Sequence, residues 1–210
     1  MFKPALFGEQ IDLLLDYKAE GLSGNARDVQ KARSFFALLK KNSSRLKLLI
    51  DFSNIKNVVQ MKETMAEWQT DAKNGNSATY FIYPHDADMC VGCFRVHRHG
   101  NVAETAVWID EDATGKGYMQ FAGKMIEDAL FEKGIQEIVR RVYLKNPYYE
   151  VVKHNIEKAG YKPCAFKSFR YKSGDEEVFT TFHKTLDMYQ KEQKSKNWGL
   201  ATKGLSSTER

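Results

Sequence analysis

The apolar repeat of this chain changes from helical to extended and then to an alternation of the two, and that change restricts the fold more than any other feature. In "NARDVQKARSFFALLKK", residues 25–41, Val29, Ala32, Phe36 and Leu39 recur at helical intervals, with Asn25 placed to cap the first turn. Val58, Met61, Met65, Trp68 and Ala72 repeat every three or four residues after Ser53, predicting a helix over about 54–72 that "KNGN" ends. The period then drops to two. "ATYFIYP" (78–84), "MCVGCFRVH" (89–97) and "VAETAVWID" (102–110) are short, aromatic and β-branched, which predicts a three-strand meander. A helix over about 117–133, the strand "IQEIVRRVYL" and a helix over about 147–159 follow, and strands 161–171 and 176–184 flank "SGDE" as a hairpin. With "QIDLLLDYK" (10–18) as a further strand, the pattern predicts an α/β fold: a mixed twisted sheet of about six or seven strands with about four helices on its faces.

The 210 residues, 42% hydrophobic, fit one domain with a sizeable core, assigned here to 1–187. Residues 188–210 turn polar and predict a short helical extension followed by a mobile tail. The net charge of +5 is spread thinly, because 32 basic residues are interspersed with 27 acidic ones, so nucleic-acid binding is not implied. Three cysteines cannot all pair, and there is neither an apolar N-terminal signal segment nor a run near 18 apolar residues. The expectation is a soluble protein of a reducing compartment, cytoplasmic, with no membrane partner, as a monomer or homodimer.

Between the meander and the next helix lies "TGKGYM". A helix begins with unpaired N–H groups and a partial positive charge, so it binds an anion wherever the preceding loop lets one approach. Gly115 and Gly117 have no side chains in the way, and Lys116 adds charge. A nucleotide P-loop needs two glycines five apart followed by Lys-Ser/Thr, and here Tyr118 follows Gly117. A dinucleotide fingerprint needs a third glycine where this chain has Gln120. Both fail on spacing, which leaves an anion site of another kind or a plain glycine-rich connection.

Four blocks in order, "CVGCFRV", "AETAVWID", "DATGKGYM" and "LKNPYYEVVKHNIEKAGYKP", resemble the GNAT superfamily of acetyl-CoA-dependent N-acyltransferases over about residues 10–185. The branch resembled is the RimJ/RimL type, which acetylates N-terminal amines of ribosomal proteins. The resemblance implies a splayed central strand pair, 103–109 against 136–143, with the pantetheine arm of acetyl-CoA held by the main chain of Trp108 and Ile109. The pyrophosphate would rest on the N–H groups of Thr114, Gly115, Lys116, Gly117 and Tyr118, and Asn146 would contact the cofactor arm. The chain departs from the family at Asp112, where Gln or Arg is usual, and at Tyr149, where serine is usual. Asn146 as cap, Pro147 in the first turn and Gly160 after the last turn predict an ordinary helix independently of the family.

The implied chemistry is transfer of the acetyl group from acetyl-CoA to a primary amine, a protein N-terminus or a small amine, by direct attack in a ternary complex. A protonated amine cannot attack, so a base is required, and Glu104 stands where the family has its glutamate. Strand alternation puts Glu104, Ala106 and Trp108 on one face; the competing reading of Glu104 is an exposed edge carboxylate. The N–H near Ile109 can hold the oxyanion. The family's tyrosine acid is replaced by Ile156, with Tyr118, Tyr148 and Tyr149 as other tyrosines nearby. Asp110, Glu111 and Asp112 beside the loop favour a cationic acceptor. The alternative class is a module that keeps the fold and binds acyl-CoA or a partner without turnover. Cys90 and Cys93 with His97 and His99 suggest zinc at first sight, but thiols three apart on a strand face opposite sides, so no metal is expected.

Overall fold

The computed structural model describes residues 2–15, 24–46, 55–87, 89–170 and 176–205. Eight strands form one sheet in the order β1-β2-β3-β4-β5-β6-β8-β7. They are β1 Ala5–Phe7, β2 Ile11–Leu14, β3 Ser77–Pro84, β4 Gly92–His99, β5 Val102–Ile109, β6 Glu137–Tyr143, β7 Lys162–Arg170 and β8 Glu176–Thr185. The count exceeds the expected six or seven because β1 has three residues, too few to show a period. The helices among the described residues are α1 Gly24–Lys41, α2 Ser43–Leu46, α3 Val58–Asn74, α4 Tyr118–Glu132, α5 Tyr149–Lys158 and α6 Leu186–Leu205, six where about four were expected.

Local chemistry sets the ends of these elements. α1 begins at Gly24, one residue before the expected cap Asn25. Ser53 lies outside the described residues; α3 is capped by Asn57, whose side chain accepts from the N–H of Gln60, and stops at Gly75 in the left-handed region. At α5 the expected cap is displaced: the position before the helix is Tyr148, and Asn146 Oδ1 accepts from its N–H at 2.9 Å. The polar segment after 187 is helical to Leu205, longer than the short extension expected, and Tyr189 stacks on Phe131 of α4 with ring centroids 4.6 Å apart.

Alternation in β3 builds two cores at once. Tyr80 and Ile82 face α4 together with Ile11, Leu13, Phe94, Ile126 and Leu130, whereas Phe81 and Tyr83 face α1 and α3 together with Phe35, Met61, Met65, Trp68 and Trp108. In the second core the rings of Phe35 and Phe81 meet edge to face, 5.0 Å apart.

One strand pair is parallel. β5 returns to β6 through α4, the crossover a parallel pair requires. The two are paired from Val102↔Glu137 to Thr105↔Arg140 and no further, although β5 runs on to Ile109 and β6 to Tyr143. Beyond that point β6 stays paired with β8 as far as Tyr143↔Phe179, and β5 with β4 as far as Gly92↔Ile109. The splayed central pair is therefore a gap between two otherwise intact half-sheets.

A charged cluster is buried on the α4 side. Glu127 accepts from Arg140 at 3.1 Å, Tyr161 at 2.9 Å and Lys184 at 3.0 Å, and Lys184 also meets Glu192 of α6 at 2.7 Å. Two cations and two carboxylates cancel, the condition under which buried charge is tolerated.

Candidate active site

The start of α4 and the end of α1 lie at the carboxyl end of the central strand β5. After β5 a single 3-10 turn, Glu111–Ala113, leads to Thr114 in extended backbone, then Gly115 and Gly117 with φ of 80° and 81°. Those two angles place both glycines in a region that disfavours any residue with a Cβ. A Cβ on Gly115 would meet nothing within 4 Å, so the space over the loop is open. The N–H of Thr114 is spent on the carbonyl of Glu111 at 3.1 Å. Those of Gly115, Lys116, Gly117 and Tyr118 have no partner among the described residues.

Around the loop, Tyr118 donates its hydroxyl to Asp86 at 2.5 Å, and Lys116 stands 4.0 Å from the same carboxylate. The hydrogen bond to Asp86 pushes the Tyr118 phenol up to about 12, with burial adding to it. Its proton is thus committed to Asp86. Tyr149 shares a 2.6 Å hydrogen bond with Thr180, and Ile156 is buried in the core.

Main-chain direction alternates along β5. The N–H of Asp110 donates to Val91 beyond β4, and a Cβ on Gly92 would lie 2.2 Å from the Trp108 carbonyl, so Trp108 and Asp110 turn toward β4. Val107 and Ile109 turn toward β6, into the gap. The side chains follow the same alternation: Trp108 is buried against Phe35, 5.9 Å between centroids, while Ile109 enters the other core. Glu104, on the Trp108 face as expected, forms an ion pair with Arg141 at 2.7 Å and keeps 27% of its side chain exposed.

The acidic run has an internal partner. Lys41, at the end of α1, donates to Asp110 at 2.6 Å and to Asp112 at 2.7 Å. The buried Asn42 donates to Asp110 Oδ1 at 3.0 Å and accepts from the N–H of Glu111 at 3.1 Å. Burial alone would raise the Asp110 carboxyl, but the hydrogen bonds from Lys41 and Asn42 and the lysine charge outweigh it and hold it below the usual range. From α2, Arg45 Nη2 donates to the Ile109 carbonyl at 2.7 Å. Two of the three carboxylates that pointed to a cationic acceptor thus serve to dock the α1–α2 corner. Sequence reading missed Lys41, Asn42 and Arg45, which carry no motif and lie more than sixty positions from their partners.

Asn146 is buried beside the end of β6, its Oδ1 engaged by Tyr148. Cys90 and Cys93 do not face opposite sides: Cys90 precedes β4, and both thiols lie in the core against α1 and α3. Burial pushes Cys90 up to about 12 and Cys93 higher still. Among the described residues no group of three His, Cys, Asp or Glu could hold a metal ion, and no helix is long and apolar enough to cross a membrane.

No curated protein matches the sequence. Among solved structures, RimL, a ribosomal L7/L12 α-N-protein acetyltransferase in complex with coenzyme A, is 14% identical with a TM-score of 0.70, over 86% of this chain and 97% of that one. An acetyl transferase from Salmonella typhimurium that modifies the N-terminal serine of the 50S ribosomal subunit protein L7/L12 is 13% identical with a TM-score of 0.70, over 86% and 98%. The Microcin C7 self immunity acetyltransferase MccE, in complex with acetyl-CoA and AMP, is 15% identical with a TM-score of 0.68, over 85% and 93%. At such identities the likeness is one of fold. Residues 47–150 match the sequence profile of the Acetyltransferase (GNAT) family, and the chain accordingly carries a GNAT acetyltransferase domain.

Proposed function

We propose that the protein is an N-acetyltransferase that moves the acetyl group of acetyl-CoA to a primary amine, a protein N-terminus or a small amine, by direct attack in a ternary complex. The observation that carries this reading is the pairing of two features at the carboxyl end of the central strands: four N–H groups at Gly115–Tyr118 without a partner among the described residues and a gap between β5 and β6 into which Ile109 turns its main chain. A diphosphate fits the first, because a left-handed glycine turn at a helix start points several N–H groups at one anion. An extended arm with amide groups fits the second.

Bound acetyl-CoA supplies the acyl group as an activated thioester. The residues of this chain bind and orient it. Gly115, Lys116, Gly117 and Tyr118 hold the diphosphate; Ile109, rather than Trp108, offers its main chain to the arm, since Trp108 faces β4. Thr114 supports the turn, its N–H being engaged by Glu111. Asn146 lies at the far side of the gap, where its Nδ2 is the group left to donate. Glu104 accepts the amine proton directly or through a water, with Arg141 fixing its carboxylate. The leaving thiolate needs no dedicated tyrosine.

A melting scan with acetyl-CoA, NAD and ATP in parallel tests the binding step. At a hundredfold excess over Kd, acetyl-CoA is expected to add about 2.7 kcal/mol, or roughly 5 to 11 °C for a domain of this size. A shift with NAD or ATP and none with acetyl-CoA contradicts the reading. Release of free CoA in a single turnover with an amine panel separates an enzyme from a module that only binds acyl-CoA.

A further inference from the structure

Arg45 stands at the open end of the β5/β6 gap, on the Ile109 carbonyl. One nitrogen, Nη2, donates to the Ile109 carbonyl at 2.7 Å, and Nε is buried without an acceptor. The Cζ lies 6.0 Å from the centre of the Tyr148 ring. Among the described residues no carboxylate pairs with it, in contrast to Lys41 four positions earlier, which holds two. A guanidinium carries five N–H donors in a rigid fork and stays charged at any ordinary pH. A fork with a single neutral acceptor and a buried empty donor leaves a binding capacity that an anion completes in bidentate fashion.

We propose that Arg45 is a specificity-determining residue that takes a carboxylate or phosphate on the acceptor, close to the amine that is acetylated. The inference rests on the acetyl-transfer reading and narrows its substrate class to acceptors with an anionic group near the nucleophilic nitrogen. The diphosphate of the cosubstrate is not the anion concerned, because its cradle follows the 3-10 turn Glu111–Ala113, whereas Arg45 is bonded to Ile109 ahead of that turn and Lys41 to Asp110 and Asp112. Arg45 instead marks the carbonyl of Ile109, at the mouth where an acceptor must enter. The mouth has an apolar rim in the exposed Leu144, Tyr148 and Val178, with Leu144 N–H bonded to the Val178 carbonyl at 2.9 Å. An extended acceptor can lay its stem there while its anion reaches the fork. The sign of charge is opposite to the one that the acidic run 110–112 suggests from sequence alone.

Three serine-led peptides of equal length, whose second and third residues are acidic, neutral amide or basic, supply the test with the full chain and acetyl-CoA. The wild type is expected to favour the acidic over the neutral peptide by roughly 10- to 100-fold in kcat/KM, the size of a charge-assisted hydrogen bond. Arg45→Gln brings that ratio to within about threefold, and Arg45→Lys retains part of it. A wild type that treats the acidic and neutral peptides alike, or an Arg45→Gln variant that keeps the preference, overturns the proposal. Calorimetric titration of the same peptides into wild type and Arg45→Gln with CoA present reads the preference without turnover. Loss of the acidic preference in that titration upholds the role of Arg45 even if no peptide is acetylated, in which case it is the acetyl-transfer reading that falls. An acetyl-CoA melting shift retained by Arg45→Gln shows that the variant is folded.

Discussion

Gly115 and Glu104 carry the most sharply defined single-residue consequences. Gly115 holds φ of 80° with open space where a side chain would go, so Gly115→Ala meets no clash and pays only for its backbone. The expected cost is about 1 kcal/mol in urea denaturation, together with weaker acetyl-CoA binding as the loop relaxes. A variant as stable and as tightly bound as the wild type would show that the left-handed turn is not required. Glu104→Gln keeps the shape of the side chain and removes its capacity to accept a proton. Turnover is expected to fall roughly 10²- to 10⁴-fold with cosubstrate affinity near wild type, as followed by CoA release and by calorimetry. Equal losses in binding and turnover would instead make the Glu104–Arg141 pair a structural strut.

At the scale of elements, the junction between the end of α1 and the end of β5 connects the helical face to the loop. Asn42 makes three hydrogen bonds there, to the Leu38 carbonyl, to Asp110 and from the N–H of Glu111. Asn42→Ala leaves a buried acceptor and a main-chain donor unsatisfied, at roughly 1 to 3 kcal/mol, and the urea midpoint should fall with an unchanged slope. The same junction carries a pH dependence whose sign follows from Asp110. Its carboxyl is held below its ordinary value, so its contribution is fully present above the unfolded value and is lost as pH falls through the folded one. Lys41 is held above its ordinary value by its hydrogen bonds to Asp110 and Asp112, so on the lysine side the contribution fades only in strongly alkaline solution. Between about pH 4 and more acid conditions, the wild type should therefore lose stability more steeply than Asp110→Asn. Parallel acid profiles of the two proteins would remove Asp110 from the clamp.

Across the whole molecule, the gap between β5 and β6 has to stay open without the sheet coming apart, and the two half-sheets are joined below it in two ways. Four residue pairs of parallel ladder form the first, and the buried cluster of Glu127, Arg140, Tyr161 and Lys184, which ties α4 to β6 and β8, forms the second. Removing one member leaves the buried charges out of balance, whereas replacing an opposed pair by apolar residues restores balance. Glu127→Leu is accordingly expected to cost roughly 3 to 5 kcal/mol, and the double variant Glu127→Leu with Lys184→Met less than that single change. A double variant with the summed cost of both singles would show that the two side chains act independently.

What the sequence by itself determined is whatever depends on neighbours along the chain. The period of Met61, Met65 and Trp68, the alternation through "VAETAVWI" and the glycines of "TGKGYM" set α3, β5 and the left-handed glycine loop, because helix faces, strand faces and left-handed turns are decided within a few residues. What only the tertiary structure decided depends on contacts across the fold. The spending of the Thr114 N–H on Glu111, the direction of the Trp108 main chain toward Gly92, the docking of Lys41 and Arg45 on the end of β5 and the burial of Glu127 leave no periodic trace. A charged side chain reads the same in sequence whether it faces water or a partner of opposite sign. Only the packing of α1 beside β5 turns two of the three carboxylates from a surface for a cation into a clamp, and sets Arg45 at the mouth.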